Sequence, residues 1–291
     1  MRRRLSAGAR GQLDPRPRRV GAALGVLALL GSASPAPAEP SPEDKSRYHL
    51  LDPTPRALRR PLSADRPDVT ESPYTVDAGA VQLEMSVVDY AKNGDAVAWS
   101  AAPFNLKLGL LNDVDLQLVF DPYLHEDDGA RARDGPGDVQ VRVKVNLWGN
   151  DGGASALAVM PFVKAPTAAD GLGNGHVEGG VILPFATDAA GIVGVGLMLE
   201  GDVVFDQADD GYDAEVVASG VLGRNLTKTV GVYVEAVGIA STDAGVDPRA
   251  LLGFGATYAL GDDVVLDAGT NLGLTGDADD VNLFAGLTVR F

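Results

Sequence analysis

The sequence predicts an all-β protein that forms a closed antiparallel transmembrane β-barrel of about twelve strands. Three observations favour this fold: apolar and polar residues alternate from about residue 80 to Phe291, the alternating segments are long, and short connections alternate with longer ones. A period of two places successive side chains on opposite faces of a strand. No segment shows helical periodicity or 18 consecutive apolar residues, so membrane helices are not predicted.

The clearest alternation is "DVQVRVKVNLWG" at 138–149, where Val and Leu form one face and Gln, Arg, Lys and Asn form the other. Most such segments have about 11–13 residues, which is longer than strands of soluble sandwiches and suits a tilted strand that crosses a bilayer. The twelve strands are expected at 80–91, 97–111, 113–124, 137–149, 154–165, 175–186, 191–205, 212–223, 228–240, 249–260, 263–273 and 280–291.

The connections between these strands indicate an orientation. If the first strand runs outward from the periplasm, the short connections fall on the inner side, at 112–113, 149–153, 187–190, 224–227 and 261–262. Longer connections then fall on the outer side, at 125–136, 166–174 and 241–248. Short inner turns and long outer loops are typical of outer-membrane barrels. A β-propeller would repeat a motif every ~40–50 residues, and the sequence has no such repeat.

The chain ends within the last alternating segment, "VNLFAGLTVRF" at 281–291, without a polar tail. In a closed barrel the last strand bonds to the first, so its backbone groups are satisfied at the membrane interface. The sequence therefore predicts that Phe291 lies at the inner interface.

The amino terminus predicts export. Seven arginines precede the apolar run "VGAALGVLALLG" at 20–31, which is followed by the small-residue triplet Ala36-Pro37-Ala38. This pattern predicts a cleaved signal peptide over residues 1–38. A retained membrane anchor is the alternative, but the run is shorter than the about 20 residues that a spanning helix needs.

The rest of the chain divides into two parts. Residues 39–74 contain seven prolines, which predict an extended segment that stays in the periplasm or enters the lumen. Residues 75–291 are predicted to form the barrel. The net charge of −16 argues against a nucleic-acid partner, and outer-membrane lipids are the expected surroundings.

The stretch "LSADRPDVTESPYTVDAGAVQLE" at 62–84 resembles an outer-membrane family often labelled "transporter", or the meta-pathway of phenol degradation family. Supporting stretches are "GPGDVQVRVKVNLWG" at 135–149, "LAVMPFVKAPTA" at 157–168 and "GNGHVEGGVILPF" at 173–185. The resemblance implies a porin-like barrel in a Gram-negative-type outer membrane and a link to uptake of aromatic compounds. It also implies that the barrel assembly machinery recognises the aromatic end at Phe291.

Four residues just before the first strand are candidates for a rim or latch role: Arg66, Asp68, Thr70 and Glu71. One interpretation is a plug or latch in which Arg66 pairs with a carboxylate of the lumen. The other, which we favour, is a structural clamp at the seam between the first and last strands, because Asp, Thr and Ser bond neighbouring backbone groups.

The polar face of each strand supplies the candidates for pore-lining residues. They are Glu84, Lys107, Asp115, Arg142, Lys144, Glu178, Glu200, Glu215, Glu235, Asp267 and Asn271. Many other inward positions are glycine, which predicts free space in a lumen of intermediate width. An open or gated channel is favoured over a narrow interior that is filled by paired charges.

No catalytic site, metal site or cofactor is predicted. The sequence has no cysteine and three scattered histidines, His49, His125 and His176, none beside a recognisable nucleophile motif. Three hypotheses remain for the function: passive diffusion of small solutes, including aromatic or hydrophobic compounds; a non-conducting structural or surface-interaction barrel; and a lipid enzyme. The first is favoured, and the last requires a serine within reach of His176 or His125. The solute and the oligomeric state do not follow from the sequence.

Overall fold

The structure, a computed structural model, describes residues 44–208 and 210–291, so the predicted signal peptide lies outside the described residues. A single 3-10 helix, Arg56–Leu58, precedes fifteen β-strands. The strands are β1 (Val81–Asn93), β2 (Ala96–Ala101), β3 (Phe104–Leu111), β4 (Val114–Phe120), β5 (Tyr123–Asp127), β6 (Ala132–Gly135), β7 (Val139–Trp148), β8 (Ser155–Ala165), β9 (Glu178–Ala189), β10 (Val193–Asp206), β11 (Gly211–Asn225), β12 (Val230–Ser241), β13 (Arg249–Ala259), β14 (Val264–Gly273) and β15 (Val281–Arg290).

Twelve of these strands form a closed antiparallel barrel, which confirms the predicted fold class. The order around the ring is β1, β3, β4 and then β7 to β15, and β15 pairs with β1. The register of this seam runs from Gln82 opposite Arg290 to Lys92 opposite Val281. The Phe291 N–H donates to the Val81 carbonyl at 2.8 Å, so the last residue is bonded to the first strand as expected.

Two predicted strands are interrupted, and prolines account for both breaks. The segment expected at 97–111 is divided between β2 and β3 at Ala102 and Pro103, where Ala102 has a φ of 56°. The segment expected at 113–124 is divided between β4 and β5 at Asp121 and Pro122. Proline has no N–H to donate to a ladder, so pairing stops at these points.

The short strands β2, β5 and β6 extend the barrel at one end. There β2 pairs with the second half of β1, β5 pairs with β2, and β6 pairs with β5. The strand β6 lies within the connection that the sequence predicts as a loop at 125–136. Its four residues alternate too briefly for a strand to be predicted from the sequence alone.

The two ends of the barrel differ. At the end where the amino-terminal residues approach, here called the inner end, β3 and β4 are joined by only residues 112–113. At the opposite, outer end, β8 and β9 are joined by residues 166–177. Among residues 44–208 and 210–291 no helix is long and apolar enough to cross a bilayer.

Alternation separates the two faces of the wall. On β10, Leu197, Leu199 and Val203 point outward and are about half exposed, at 49%, 50% and 52%. Met198 between them points inward and is only 4% exposed. An apolar outer face and a mixed inner face are typical of a barrel whose solvent is lipid. The interior therefore holds the groups that a ligand or solute would meet.

Candidate functional site

The interior of the barrel is the candidate site. Seven of the eleven predicted pore-lining residues are buried: Glu84, Lys107, Asp115, Lys144, Glu178, Glu235 and Asp267. The other four, Arg142, Glu200, Glu215 and Asn271, are partly exposed and share the inward parity of their strands. The structure thus places the side chains of all eleven residues on the inner face of the barrel.

Residues 44–80 form an arm that begins at the inner end, and its residues 63–75, here called the lumen segment, enter the barrel. This segment has no strand pairing, yet it contacts inward side chains of strands on opposite sides of the ring. The structure therefore places Arg66, Thr70 and Glu71 within the barrel, away from its rim. Asp68 lies in the same segment.

Asp65 is the most strongly held residue of the lumen segment. Its carboxylate accepts hydrogen bonds from Lys144 Nζ at 2.7 and 2.8 Å and also from Lys107. Lys107 in turn pairs with Glu84, whose carboxylate accepts the Asp65 N–H at 3.1 Å. The side chains of both lysines are at most 2% exposed. Burying two ammonium groups is costly without counter-charges, and Asp65 and Glu84 supply them.

Arg66 joins the lumen segment to the seam of the barrel. Its guanidinium donates to both carboxylate oxygens of Asp267, with Nη2 to Oδ1 at 2.7 Å and Nε to Oδ2 at 3.2 Å. A third nitrogen donates to Ser86 Oγ at 2.7 Å. The paired, bidentate geometry is the arrangement in which an arginine binds a carboxylate most strongly.

Thr70 and Val69 attach the segment to β11 and β12. The Glu235 carboxylate accepts hydrogen bonds from the Val69 N–H at 2.9 Å, the Thr70 N–H at 2.7 Å and the Thr70 hydroxyl at 2.5 Å. The Thr70 hydroxyl also lies 2.7 Å from that of Ser219. A carboxylate with three donors is well satisfied although Glu235 is only 1% exposed.

Glu71 pairs with Arg142, with Oε1 at 2.5 Å from Nη1. Arg142 lies two residues before Lys144 on β7, so the two cations share the inner face.

Beside these two cations, the wall is apolar. The cluster there consists of Met160, Ile182, Met198, Val217 and Val237, with Val69 and Phe162 packed against it.

Two further ion pairs lie nearer the outer end. Lys164 on β8 pairs with Glu178 on β9, and Arg249 on β13 pairs with Glu215 on β11 at 2.5 Å. Glu178 also accepts the Phe205 N–H at 2.8 Å. The inward bases Lys107, Arg142, Lys144, Lys164 and Arg249 are thus each paired with an acid of the wall or of the arm.

Most of the inward glycines do not leave the free space that the sequence predicts, because neighbouring groups fill it. Gly194 is an exception, since no atom lies nearer than 3.7 Å to an added Cβ. A Cβ on Gly286 would lie 2.5 Å from Arg66 Nη2, and one on Gly196 would lie 3.3 Å from Thr70 Cγ2. On Gly255 it would lie 2.2 Å from Cε1 of Tyr233. These glycines make room for the arm and for large side chains of adjacent strands.

The cavities lie on both sides of the lumen segment. An outer cavity of about 580 Å³ is lined by residues such as Glu215 and Arg249. On the inner side, cavities of about 820 and 590 Å³ share Tyr74 and Asp188, and another of about 600 Å³ adjoins them at Asn225. The lumen segment therefore separates an outer vestibule from an inner one.

A network of charged groups holds the arm at the inner end. Arg60 donates to Asp151 and to Asn112 at 3.0 Å and lies 3.5 Å from Asp77, while Lys45 pairs with both aspartates. Burial alone would raise the pKa of Asp151, but hydrogen bonds from Lys45 and Asn112 and the charge of Arg60 outweigh it and lower this pKa.

Asp263 connects the arm to the last strand. Its carboxylate accepts hydrogen bonds from Arg290 at 2.9 Å and from Arg56 at 2.7 Å. The hydrogen bond from Arg290 and the charges of both arginines lower the pKa of Asp263. Phe291 is 66% exposed here, and its carbonyl oxygen accepts a hydrogen bond from Arg59 at 3.0 Å.

The histidines show no catalytic geometry. His176 stacks on Phe205 with ring centroids 3.5 Å apart, and its Nδ1 lies 3.2 Å from the Asn174 carbonyl oxygen. The ring of His125 lies beside that of Trp99, tilted by 32° with centroids 5.6 Å apart, and His49 Nδ1 accepts the Leu51 N–H. Within the described residues no hydrogen bond joins a histidine to a serine.

Three carboxylates, at the end of β10, on β11 and in the loop after β12, come together at the outer cavity. Asp206, Asp213 and Asp243 have ligand atoms within 4.8 Å of one another. Each accepts a hydrogen bond from a nearby loop group, including the Ala208 N–H at 2.7 Å and the Thr242 hydroxyl at 2.8 Å. These bonds give the three acids a role in loop structure.

Sequence reasoning missed Asp65, Lys45, Arg60 and Asp77, although they carry much of the attachment of the arm. One signal was available for Asp65. Two lysines lie on the inner face of β3 and β7, which are separated only by β4, and buried ammonium groups require a counter-charge that an acid of the arm can supply.

Fold and interior together define a membrane-type β-barrel whose lumen is crossed by its own amino-terminal arm. The family model described as "Putative MetA-pathway of phenol degradation" matches residues 64–291, and the chain belongs to this family. The match includes residues 64–75 of the lumen segment and the whole barrel.

Solved structures of outer-membrane proteins share the fold. An outer-membrane channel from Pseudomonas putida F1 has 13% identity, covers 79% of this chain and all of its own, and gives a TM-score of 0.57. The NanC porin has 10% identity, covers 72% of this chain and all of its own, and gives a TM-score of 0.51. No curated protein sequence matches the chain.

Proposed function

We propose that the protein is an outer-membrane channel for passive diffusion of small solutes, and that its arm is a gate. The observation that carries this proposal is the lumen segment. It lies between an outer and an inner vestibule and is held by side-chain contacts instead of strand pairing. Side-chain contacts can be exchanged for water without opening the β-sheet, so the arm can leave while the barrel stays closed.

The chemistry of the interior supports a solute that is partly apolar. The apolar cluster of Met160, Ile182, Met198, Val217 and Val237 faces the lumen, where a water-filled pore would usually carry polar groups. The family description, which names phenol degradation, supports aromatic compounds as the solute class. No catalytic step is part of this proposal.

Liposome swelling tests the proposal. Proteoliposomes would contain either the wild-type protein or the double variant Asp65→Asn, Glu71→Gln. The variant weakens three ion pairs of the lumen segment, two made by Asp65 and one made by Glu71. We expect the variant to admit sugars faster than the wild type, with a rate that falls as the sugar becomes larger. The matched control is Asp128→Asn, because this side chain is 50% exposed and its ion pair lies in an outer loop.

The alternative function, a non-conducting structural or surface-interaction barrel, makes a different prediction. In that case neither protein would admit sugars, although both would migrate as folded, heat-modifiable barrels in gels. The ion pairs that fill the interior are the observation that favours this alternative.

We also propose that the exposed aromatic end at Phe291 is recognised by the barrel assembly machinery. Phe291 follows a strand that alternates to its end, and its ring is largely exposed at the inner end. These features support recognition before the seam between β15 and β1 closes.

A further inference from the structure

Two carboxylates of the arm occupy a cationic site on the barrel wall. Lys107 on β3 and Lys144 on β7 bind the Asp65 carboxylate from two sides, and Arg142 binds that of Glu71. The wall provides all three cations, whereas the arm provides both carboxylates. The arm thus fills a site that the wall would present to the lumen if the arm were absent.

Four acids of the wall lie near the three cations. Glu84 pairs with Lys107, Asp115 accepts hydrogen bonds from Val76 N–H and Gln117, and the charges of Glu200 and Asp202 on β10 act on Arg142. The wall therefore has no excess of positive charge. An anion is favoured at this place by the direct contacts, because departure of the arm leaves Lys144 and Arg142 without the ion pairs that they make with Asp65 and Glu71.

An apolar surface borders the cationic site. Phe162 on β8 lies opposite Arg142 in the strand register and packs against the apolar cluster of the interior. Val69 of the arm packs on the same cluster, two residues before Glu71. The arm thus presents an apolar group and a carboxylate to adjoining parts of one surface.

We propose that Lys107, Arg142 and Lys144 form a binding site for small organic carboxylates with an apolar body, and that Asp65 and Glu71 compete for it from within the chain. The ligand carboxylate takes the place of the arm carboxylates, and its apolar body takes the place of Val69. This inference rests on the proposed function, since it identifies the class of solute that releases the gate.

Competition between arm and ligand has a measurable consequence. The apparent affinity of a site is reduced by the fraction of molecules in which the site is free. If the arm is displaced in about one molecule in ten or fewer, the wild-type protein binds the ligand about tenfold more weakly than a protein whose arm does not compete. By the same linkage, the ligand favours release of the arm.

Titration calorimetry with the refolded mature protein in detergent tests the binding site, with benzoate as the probe. We expect the variant Asp65→Asn, Glu71→Gln to bind benzoate about tenfold more tightly than the wild type. Benzyl alcohol, which lacks the charge, is the matched control and should gain nothing. Adding Lys107→Gln and Lys144→Gln to the same variant should abolish benzoate binding, with heat-modifiability confirming that the barrel is folded.

Cysteine labelling tests the release of the arm. The natural chain has no cysteine, so Ala64→Cys gives one defined position within the lumen segment. Benzoate should raise the rate of maleimide labelling several-fold, and benzyl alcohol should not. Equal benzoate affinity in the wild type and the Asp65→Asn, Glu71→Gln variant, or labelling that benzoate leaves unchanged, would overturn the proposal.

These two measurements do not depend on conduction. A protein that binds benzoate competitively but admits no sugars would refute the channel and keep the carboxylate site. Conversely, sugar uptake without benzoate binding would keep the channel and refute the site.

Discussion

Replacing Asp65 with asparagine should release the arm. The Asp65 side chain is 6% exposed, and its charge is shared by Lys107 and Lys144, which are 2% and 0% exposed. Asparagine keeps the shape and can still accept the Ser72 N–H, which bonds Asp65 at 2.9 Å. The substitution removes the charge and replaces the oxygen that accepts from Lys107 and Lys144 with an NH2 donor, so both lysines lose an acceptor.

The magnitude follows from the burial of the two lysines. Removing one partner of a buried ion pair costs about 3–5 kcal/mol, because the remaining charge stays uncompensated. The lower end applies here, since Lys107 keeps Glu84 as a partner. A cost of about 3 kcal/mol falls on the closed arrangement, because water solvates the lysines once the arm has left. About 1.4 kcal/mol changes an equilibrium tenfold, so the equilibrium constant for release of the arm should rise roughly a hundredfold. If about one molecule in ten is released in the wild type, most molecules are then released in the variant.

The assay is the rate of maleimide labelling at Ala64→Cys in a background with or without Asp65→Asn. Asp128→Asn is the control, because an exposed ion pair contributes only about 0–1 kcal/mol. A labelling rate in the Asp65→Asn protein within twofold of the control would refute the reasoning that this carboxylate holds the arm.

Three further predictions concern the wall and its ends. Gly255→Ala should destabilise the folded barrel by about 1–3 kcal/mol, because the new Cβ would clash with the ring of Tyr233. Gly201→Ala should be neutral, because no atom lies within 4 Å of the new Cβ. Urea unfolding in lipid vesicles would measure the free energy of unfolding of both variants. Asp263→Asn should lower thermal stability slightly at pH 7, and because the folded pKa of Asp263 is lowered, this difference should vanish as the pH falls below about 4. A melting difference that persists in acid would contradict that assignment. Deleting Phe291 should reduce the amount of folded barrel in outer membranes while refolding in detergent remains efficient, and unchanged membrane levels would argue against a recognition role.

The ring of strands could be predicted from the sequence because alternation is a local signal. Each strand has an apolar face toward lipid, and the alternation within 139–148 predicts that face from the residues of the strand alone. The interruptions at Pro103 and Pro122 were also visible as residues. The effect of these prolines on pairing could not be predicted, because a proline is tolerated within a strand or ends it depending on the pairing partner.

The contacts of the arm could not be predicted in the same way. Lys107 and Lys144 are 42 and 79 residues from Asp65, and Thr70 is 165 residues from Glu235. No local pattern links such positions, so the sequence left plug and clamp as alternatives for the same four residues. The contacts of Arg66, Thr70 and Glu71 with strands around the ring support the plug interpretation, which remains part of our proposal.

The expectation of free space was wrong at most of the inward glycines for a related reason. Alternation correctly placed Gly255, Gly286 and Gly196 on the inner face, but the side chains that fill the space belong to other strands or to the arm. A glycine shows that something approaches closely, and the sequence alone does not show whether it is a solute or the protein itself.

Locking the arm in place tests the central claim most directly. The hydroxyl oxygens of Thr70 and Ser219 lie 2.7 Å apart, so cysteines at these two positions would bring their sulfur atoms close enough for a disulfide in a chain with no other cysteine. We would record single-channel currents of Thr70→Cys, Ser219→Cys in planar bilayers before and after addition of a reductant. The account predicts a silent protein when oxidised and discrete conductance steps after reduction. Equal currents in both states, or no current in either state from a correctly folded barrel, would contradict it.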